Sequence, residues 1–314
     1  MNTFRRAWLA ASILGAVTLA VAAGESGDKP VAKLRWSPPK LSDPITIELK
    51  DGETQNRLAV AKDYIIVLPA KLKTGATILE GGRNIVMIGG YITVGPNQPD
   101  DMRRRGIYLK NAVGTVHLEG VLIDNTANGD FDGIAINAPA AVVQIENCRI
   151  IGLTGFFKGN HSDVVQPWGG VKELRIDRLT GSSNYQGLFI PQDVGPIGST
   201  VISHVDLSYS AVNPHHQVTY LLWMTGSEGQ RPYPITLDEV YITPRQGQTV
   251  GENSVWPSTT RPAAVAAVQT DKTVSWPKLP QIKGVVKVGP PPQGEFVPDG
   301  AAGLNYKSPG YEEP

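Results

Sequence analysis

Residues 159–168, Gly-Asn-His-Ser-Asp-Val-Val-Gln-Pro-Trp, bring an imidazole, a carboxylate, two amides and an indole into ten positions. His161 and Asp163 carry the chemistry. An imidazole titrates near neutral pH and serves as general acid or base, and a carboxylate two residues away can work with it. Asp130 and Asp132 stand upstream; Gln186, Gln192 and Asp193, then His215, His216 and Gln217, follow downstream. Three kinds of role fit such residues. Two carboxylates roughly 5–5.5 Å apart suit a retaining glycosidase, and a wider gap suits an inverting one. Carboxylates and amide oxygens also collect around calcium, which makes it the cofactor to consider. Asn, Asp and Gly are equally the residues of turns, so a structural role stays open for Asp130, Asp132 and Asn160.

Residues this far apart share a site only if the chain folds them onto one edge. The sequence carries a period that does so. Runs beginning at Ile107, Ile134, Val164, Leu188 and Leu221 are spaced by 27, 30, 24 and 33 residues. Each is followed by a second run, at Val116, Val143, Leu174, Thr200 and Ile235, and by a third, at Val121, Cys148, Arg178, Val205 and Val240. Three short strands per repeat are the mark of a solenoid. One repeat cannot bury its apolar face, and stacking joins the faces into one core. A β-sandwich also has many short strands; the grouping in threes favours the solenoid. The expected arrangement is all-β: a three-sheet parallel solenoid over 76–245, a lead-in and cap over 24–75, and an irregular proline-rich tail over 246–314. That tail packs along the solenoid or covers an open end, with a disordered linker over 246–272 as the alternative.

Alternation along each strand points Ile107, Leu109, Ile134, Ile136, Leu188 and Ile190 inward, and Tyr108, Ala135 and Phe189 outward. It puts Gln166 and Trp223 in inward columns. Gln166 then braces the turn as a hydrogen-bonded internal amide, or the strand bulges before Pro167 and Gln166 meets ligand. The alignment sets Asp163 beside Gly133 and Gly187, and Asp132 beside Ser162. Neighbouring strands lie about 4.8 Å apart, so Asp132 and Asp163 meet on one edge. His161 and Asp163 are expected to share a groove with Asp132 or Gln192. Trp168 and Tyr185 would line it, since sugar rings stack on aromatics, and Lys158 would offset an acidic substrate group. Gly133 and Gly187, without side chains, would leave room for the ligand.

Arg5 and Arg6, the apolar run Ala7 to Ala20 and the small residues Val21-Ala22-Ala23 read as a cleaved export signal over 1–23. The run is short of the ~20 residues a membrane span needs. The expected protein is therefore periplasmic or extracellular, with no span after cleavage, and monomeric. Removing Arg5 and Arg6 from the 29 basic residues leaves 27 against 29 acidic ones. Such a balance gives no basis for binding nucleic acid, which depends on clustered Lys and Arg. Cys148, the one cysteine, cannot form an internal disulfide. It is expected to be a buried, inert core residue.

The repeat, with steps such as Glu119-Gly120-Val121-Leu122-Ile123-Asp124 and Asn147-Cys148-Arg149-Ile150, resembles the right-handed parallel β-helix of the pectate-lyase-like superfamily. The resemblance spans about residues 76–245. It implies polysaccharide or oligosaccharide as partner, and cleavage by β-elimination or hydrolysis. The activity motifs match less than the fold. Pectate lyases pair a calcium-binding acidic cluster with an arginine base on a neighbouring strand; here Arg175 and Arg178 lie on other strands. Polygalacturonases carry paired aspartates, to which only Asp130-Phe131-Asp132-Gly133 is similar. The His161-x-Asp163-x-x-Gln166 step is similar to one in secreted β-helix proteins of undefined reaction. The expected function is thus a secreted polysaccharide lyase or glycoside hydrolase. A non-catalytic glycan-binding or structural envelope β-helix is the alternative.

Overall fold

A computed structural model describes residues 33–127, 130–211 and 219–311. The export segment and His215, His216 and Gln217 lie outside the described residues. The described residues are all-β, with 21 strands among them in a mostly parallel sheet. Its strands pair in three ladders, each joining a strand to its equivalent about one repeat further on. The first runs from Gln55–Leu58 and Thr77–Gly81 through Arg105–Lys110 and the opening stretches of Asp132–Leu153 and Val165–Ser183. It ends on Leu188–Phe189, Leu222–Trp223 and Val255–Trp256. The second runs from Ile45–Glu48 to Ile282–Lys283. The third runs from Lys73–Thr74 to Val286–Val288. Every pairing in these ladders is parallel. Antiparallel pairing is confined to Thr273–Ser275 against Val268–Gln269 and Val286–Val288.

The core follows from the alternation. Ile107, Leu109, Ile134, Ile136, Leu188 and Ile190 are buried with Leu118, Ile145, Ile176 and Ile202 in one continuous cluster. Each such side chain contributes about 1.5–3 kcal/mol by leaving water. Cys148 is free and buried in the same cluster. The second ladder turns into the third at a single residue with positive φ: Gly120, Asn147, Arg178, His204 and Glu239 in successive repeats. This left-handed corner reverses the side-chain direction, so the residue after it, such as Val121 or Cys148, enters the core. It costs a non-glycine residue about 1–2 kcal/mol, which stacking of the flanking strands offsets.

Both described ends lie across the outer faces of the second and third ladders. The amides of Arg35 and Trp36 donate to the Glu146 carboxylate at 2.8 and 3.1 Å, and the Arg35 guanidinium reaches Asp238 at 3.1 Å. The tail returns along the third ladder. The Phe296 amide donates to Asp206 at 2.9 Å, Arg149 donates to the Val297 carbonyl at 2.7 Å, and the Tyr306 hydroxyl donates to Glu119 at 2.6 Å. Glu146 and Asp206 take the place of water for strap backbone that would otherwise be buried unpaired. Residues 246–288 are not merely irregular, because they supply the last strands of all three ladders.

Candidate functional site

The outward column of the first ladder is Ile78, Tyr108, Ala135, Gln166, Phe189, Trp223 and Trp256. At its N-terminal end Ile78, Tyr108 and Ala135 form a small buried apolar cluster with Trp168 packed on it. The Tyr108 and Trp168 rings are 6.2 Å apart. Further along, Phe189 and Trp223 are half-buried, 5.2 Å apart, and Trp256 stands 5.6 Å from Trp223. The result is an aromatic floor facing away from the core.

Alternation places Gln166 and Trp223 differently from expectation. Val165 pairs with Ile134, and Gln166 with Ala135, one residue on from the alignment read in the sequence. A one-residue shift exchanges the faces of a strand, so Gln166 points outward and is half-exposed rather than internal. The register then slips between Ala135 and Asn137, a bulge that turns Trp168 onto the outer face. The same shift pairs Trp223 with Phe189, which takes Trp223 out of the core.

The shift also moves the acids. Asp163 lies beside Asp132 and Gln186, whereas Gly133 and Gly187 flank Val164: the Ile134 amide bonds the Val164 carbonyl at 3.0 Å and the Val164 amide bonds the Gly187 carbonyl at 2.8 Å. These glycines leave no room for a ligand. A Cβ on Gly133 would stand 2.5 Å from the Val164 carbonyl oxygen, and one on Gly187 2.2 Å from that of Leu221. They are glycines because backbone passes close by.

Asp132 and Asp163 are in contact through the Asp163 amide, which donates to Asp132 Oδ1 at 3.1 Å. Both are buried, at 4% and 1% exposure. Among the described residues neither oxygen of the Asp163 carboxyl has a hydrogen-bond partner, and the Gln186 side-chain oxygen also lacks one. Burial, then the neighbouring Asp132 charge, raises the Asp163 pKa well above the usual carboxylate value, with Arg105 opposing. Burial raises that of Asp132 too, against Arg105 and the Asp163 amide. The pair titrates as a unit, with Asp163 the member that keeps a proton. Arg105 is the cation of the site: its Nε is 3.5 Å from Asp132 Oδ2, and its guanidinium lies over the Tyr108 and Trp168 rings at 4.8 and 5.9 Å.

At the mouth, the exposed His161 ring lies 5.2 Å from Tyr185 and 6.2 Å from Phe157. His161, Asp163, Asp132, Tyr185, Trp168 and Gln166 therefore gather at one edge and outer face. Gln192 does not join them. Its side chain bonds the Ile197 carbonyl and its own carbonyl accepts from Arg231, so it ties its own loop. Lys158 is exposed in the loop before His161. Arg175 pairs with Glu173, and Arg178 lies near Asp177, both away from this edge.

Arg105 was not visible in the sequence as a site residue. It ends the run Arg103-Arg104-Arg105, which reads as a solvated charged loop. Its register partner Asp132 was the available signal.

Calcium fits these residues poorly. It takes six to eight oxygen ligands, and here one of two carboxyls is already faced by a guanidinium. Among the described residues no group of three His, Cys, Asp or Glu side chains is placed to hold a metal ion. No helix among them is long and apolar enough to cross a membrane. Comparisons with protein-family models, with curated proteins and with solved structures give no match to this chain.

Proposed function

We propose that this chain is a secreted carbohydrate-active protein of the pectate-lyase-like kind, a right-handed parallel β-helix that hydrolyses a polysaccharide or oligosaccharide at the Asp132–Asp163 pair. For the winding, support comes from three parallel ladders linked in a fixed order, since crossovers between parallel strands are right-handed in about 98% of cases. For the function, one observation carries the reading: a buried, unpartnered, proton-keeping carboxyl beside a second carboxyl that faces a guanidinium. A fold has no structural use for an unsatisfied carboxyl, and such groups are retained where they do chemistry. Two carboxyls with environments that separate their pKa values are an acid and a base.

In this reading Asp163 gives its proton to the glycosidic oxygen as the C–O bond breaks. Asp132 bonds the sugar carbon as the leaving group departs; water, giving a proton to Asp163, then displaces Asp132, which returns the pair to one shared proton by the retaining course that closely placed carboxyls follow. Trp168, Gln166 and Tyr185 hold the sugar against the aromatic floor, His161 passes protons at the mouth, and Lys158 meets an acidic substituent. A second reading, a glycan-binding protein without catalysis, is favoured by the burial of both acids beneath an exposed aromatic face.

The test is a panel of neutral and acidic polysaccharides assayed for new reducing ends and for unsaturated products. Hydrolysis gives reducing ends alone and is lost in Asp163→Asn and His161→Ala. Unsaturated products would replace hydrolysis with elimination. Binding with no product leaves the second reading, and neither binding nor product refutes both.

A further inference from the structure

We propose that residues 156–161 form a gate over the Asp132–Asp163 pair, held shut by the tilted ring contact of His161 with Tyr185. The acids are at 4% and 1% exposure, so no ligand reaches them unless something moves. Among the described residues, two groups of this loop, the Asn160 side-chain amide and His161, face the Asp132 carboxyl alongside Arg105.

The loop is built to move as a unit. Its feet are tied to the body. The Gly155 amide donates to Asn184 Oδ1 at 2.7 Å, the Ser162 hydroxyl donates to the Thr154 carbonyl, and the Ser183 hydroxyl donates to the Ser162 carbonyl at 3.0 Å. Between the feet the hydrogen bonds are internal. The Phe156 amide bonds the Asn160 carbonyl at 2.9 Å, the Gly159 amide bonds the Phe156 carbonyl at 2.9 Å, and a His161 ring nitrogen bonds the Phe157 carbonyl at 3.2 Å. Phe156 and Phe157 are 47% and 61% exposed, so the tip is not anchored by apolar burial. Little is lost when such a segment lifts. Among the described residues its grip on the body is the His161–Tyr185 contact at 5.2 Å and the Asn160 side chain, which lies on Asp132 and donates to the Ser162 hydroxyl at 2.9 Å. Lifting the loop breaks these contacts and opens the Asp163 carboxyl to ligand. Gating loops of this sort commonly limit turnover.

The gate rests on the reading of Asp132 and Asp163 as the working groups, but its test needs no turnover. The folded full chain is treated with a carbodiimide and an amine, then digested at Lys158 and Lys172. The peptide 159–172 carries Asp163 as its one side-chain carboxyl. Modification of Asp163 is expected to be slow in the parent and roughly three- to tenfold faster in His161→Ala and in Tyr185→Leu, which remove the two sides of the same contact, the range that loss of one ring contact permits. Glu146, buried under the N-terminal strap, and Asp206, half-buried under the C-terminal one, are the controls and should keep their rates. An unchanged Asp163 rate in both variants overturns the gate. So does a parallel rise at Glu146 and Asp206, which would mean the whole fold had loosened. A protein that shows the expected labelling but cuts no glycan keeps the gate and loses the hydrolase reading.

Discussion

Asp163→Asn should make the protein more stable at neutral pH while abolishing the proposed hydrolysis. In the unfolded chain this carboxyl titrates near its ordinary value of 3.8; in the fold, burial and then Asp132 raise it well above that. A carboxyl raised by folding costs nothing below its unfolded value. The cost appears as pH climbs past 3.8 and grows until the folded pKa is reached, at about 1.4 kcal/mol per unit. Asparagine has the same shape and never ionises, so it escapes that cost. Its amide can also donate towards Asp132. The gain at pH 7 is on the order of 1–3 kcal/mol, the usual penalty of an unsatisfied buried polar group. Urea unfolding followed by tryptophan fluorescence, run from pH 3.5 to pH 8, measures it. The difference between variant and parent should be near zero at the acid end and widen upward. Glu146 and Asp206 titrate in the same range but are present in both proteins, so the difference isolates the dyad. If the variant is less stable than the parent at pH 7 by about 1 kcal/mol or more, Asp163 is an ionised turn-builder. The acid role then fails with it.

Arg105→Met leaves Asp132 without its cation and should cost about 3 kcal/mol at neutral pH, a loss that shrinks in acid as Asp132 takes a proton; the same urea titration reads it. Glu146 is raised to about 7, chiefly by burial, against the bonds from the Arg35 and Trp36 amides. The parent should therefore lose stability as pH rises from 4.5 to 7, and Glu146→Gln should flatten that window. A Cβ at Gly120 would stand 2.1 Å from the Tyr306 ring, at φ +66°, so Gly120→Ala should cost about 1–3 kcal/mol and speed proteolysis of the tail beyond Gly289. Cys148, its thiol pushed up to about 12 by burial, should resist a small thiol reagent until denaturant is added.

The parallel, all-β character was legible because a stacked repeat imprints its period on the chain. Ile107, Ile134 and Leu188 answer the same demand of the same core, so the sequence repeats where the structure does. Register was less legible, and for a definite reason. Val164 and Val165 are identical, and either can sit opposite Ile134. Only the backbone bonds choose between them, and that choice decides the face of Gln166 and the neighbour of Asp163. The bonding partners of the terminal straps were not legible. Nothing local to Arg35-Trp36 indicates an acid 110 positions away, nor to Tyr306 a glutamate 187 positions away.

These gaps share one physical cause, and it explains why the site sits where it does. Along the second and third ladders the outward acids Glu119, Glu146 and Asp206 each accept a hydrogen bond from a terminal segment, so those faces are spent on holding the chain ends. The first ladder carries a different outward set. Its aromatics Phe189 and Trp223 remain half-exposed, and its edge acids Asp132 and Asp163 are covered by a short loop with an unanchored tip. Buried acids with bonds to backbone stabilise a fold; a buried acid with none opposes it. Asp163 is of the second kind, and the three-residue segment Asp163-Val164-Val165 shows how it is kept there. Val164 and Val165 are both fully buried in the core, and their burial, about 1.5–3 kcal/mol each, is large enough to hold the carboxyl in a place it would otherwise leave. Replacing Asp163 by a residue the site prefers should therefore improve the fold and remove the group to which we assign the proposed reaction.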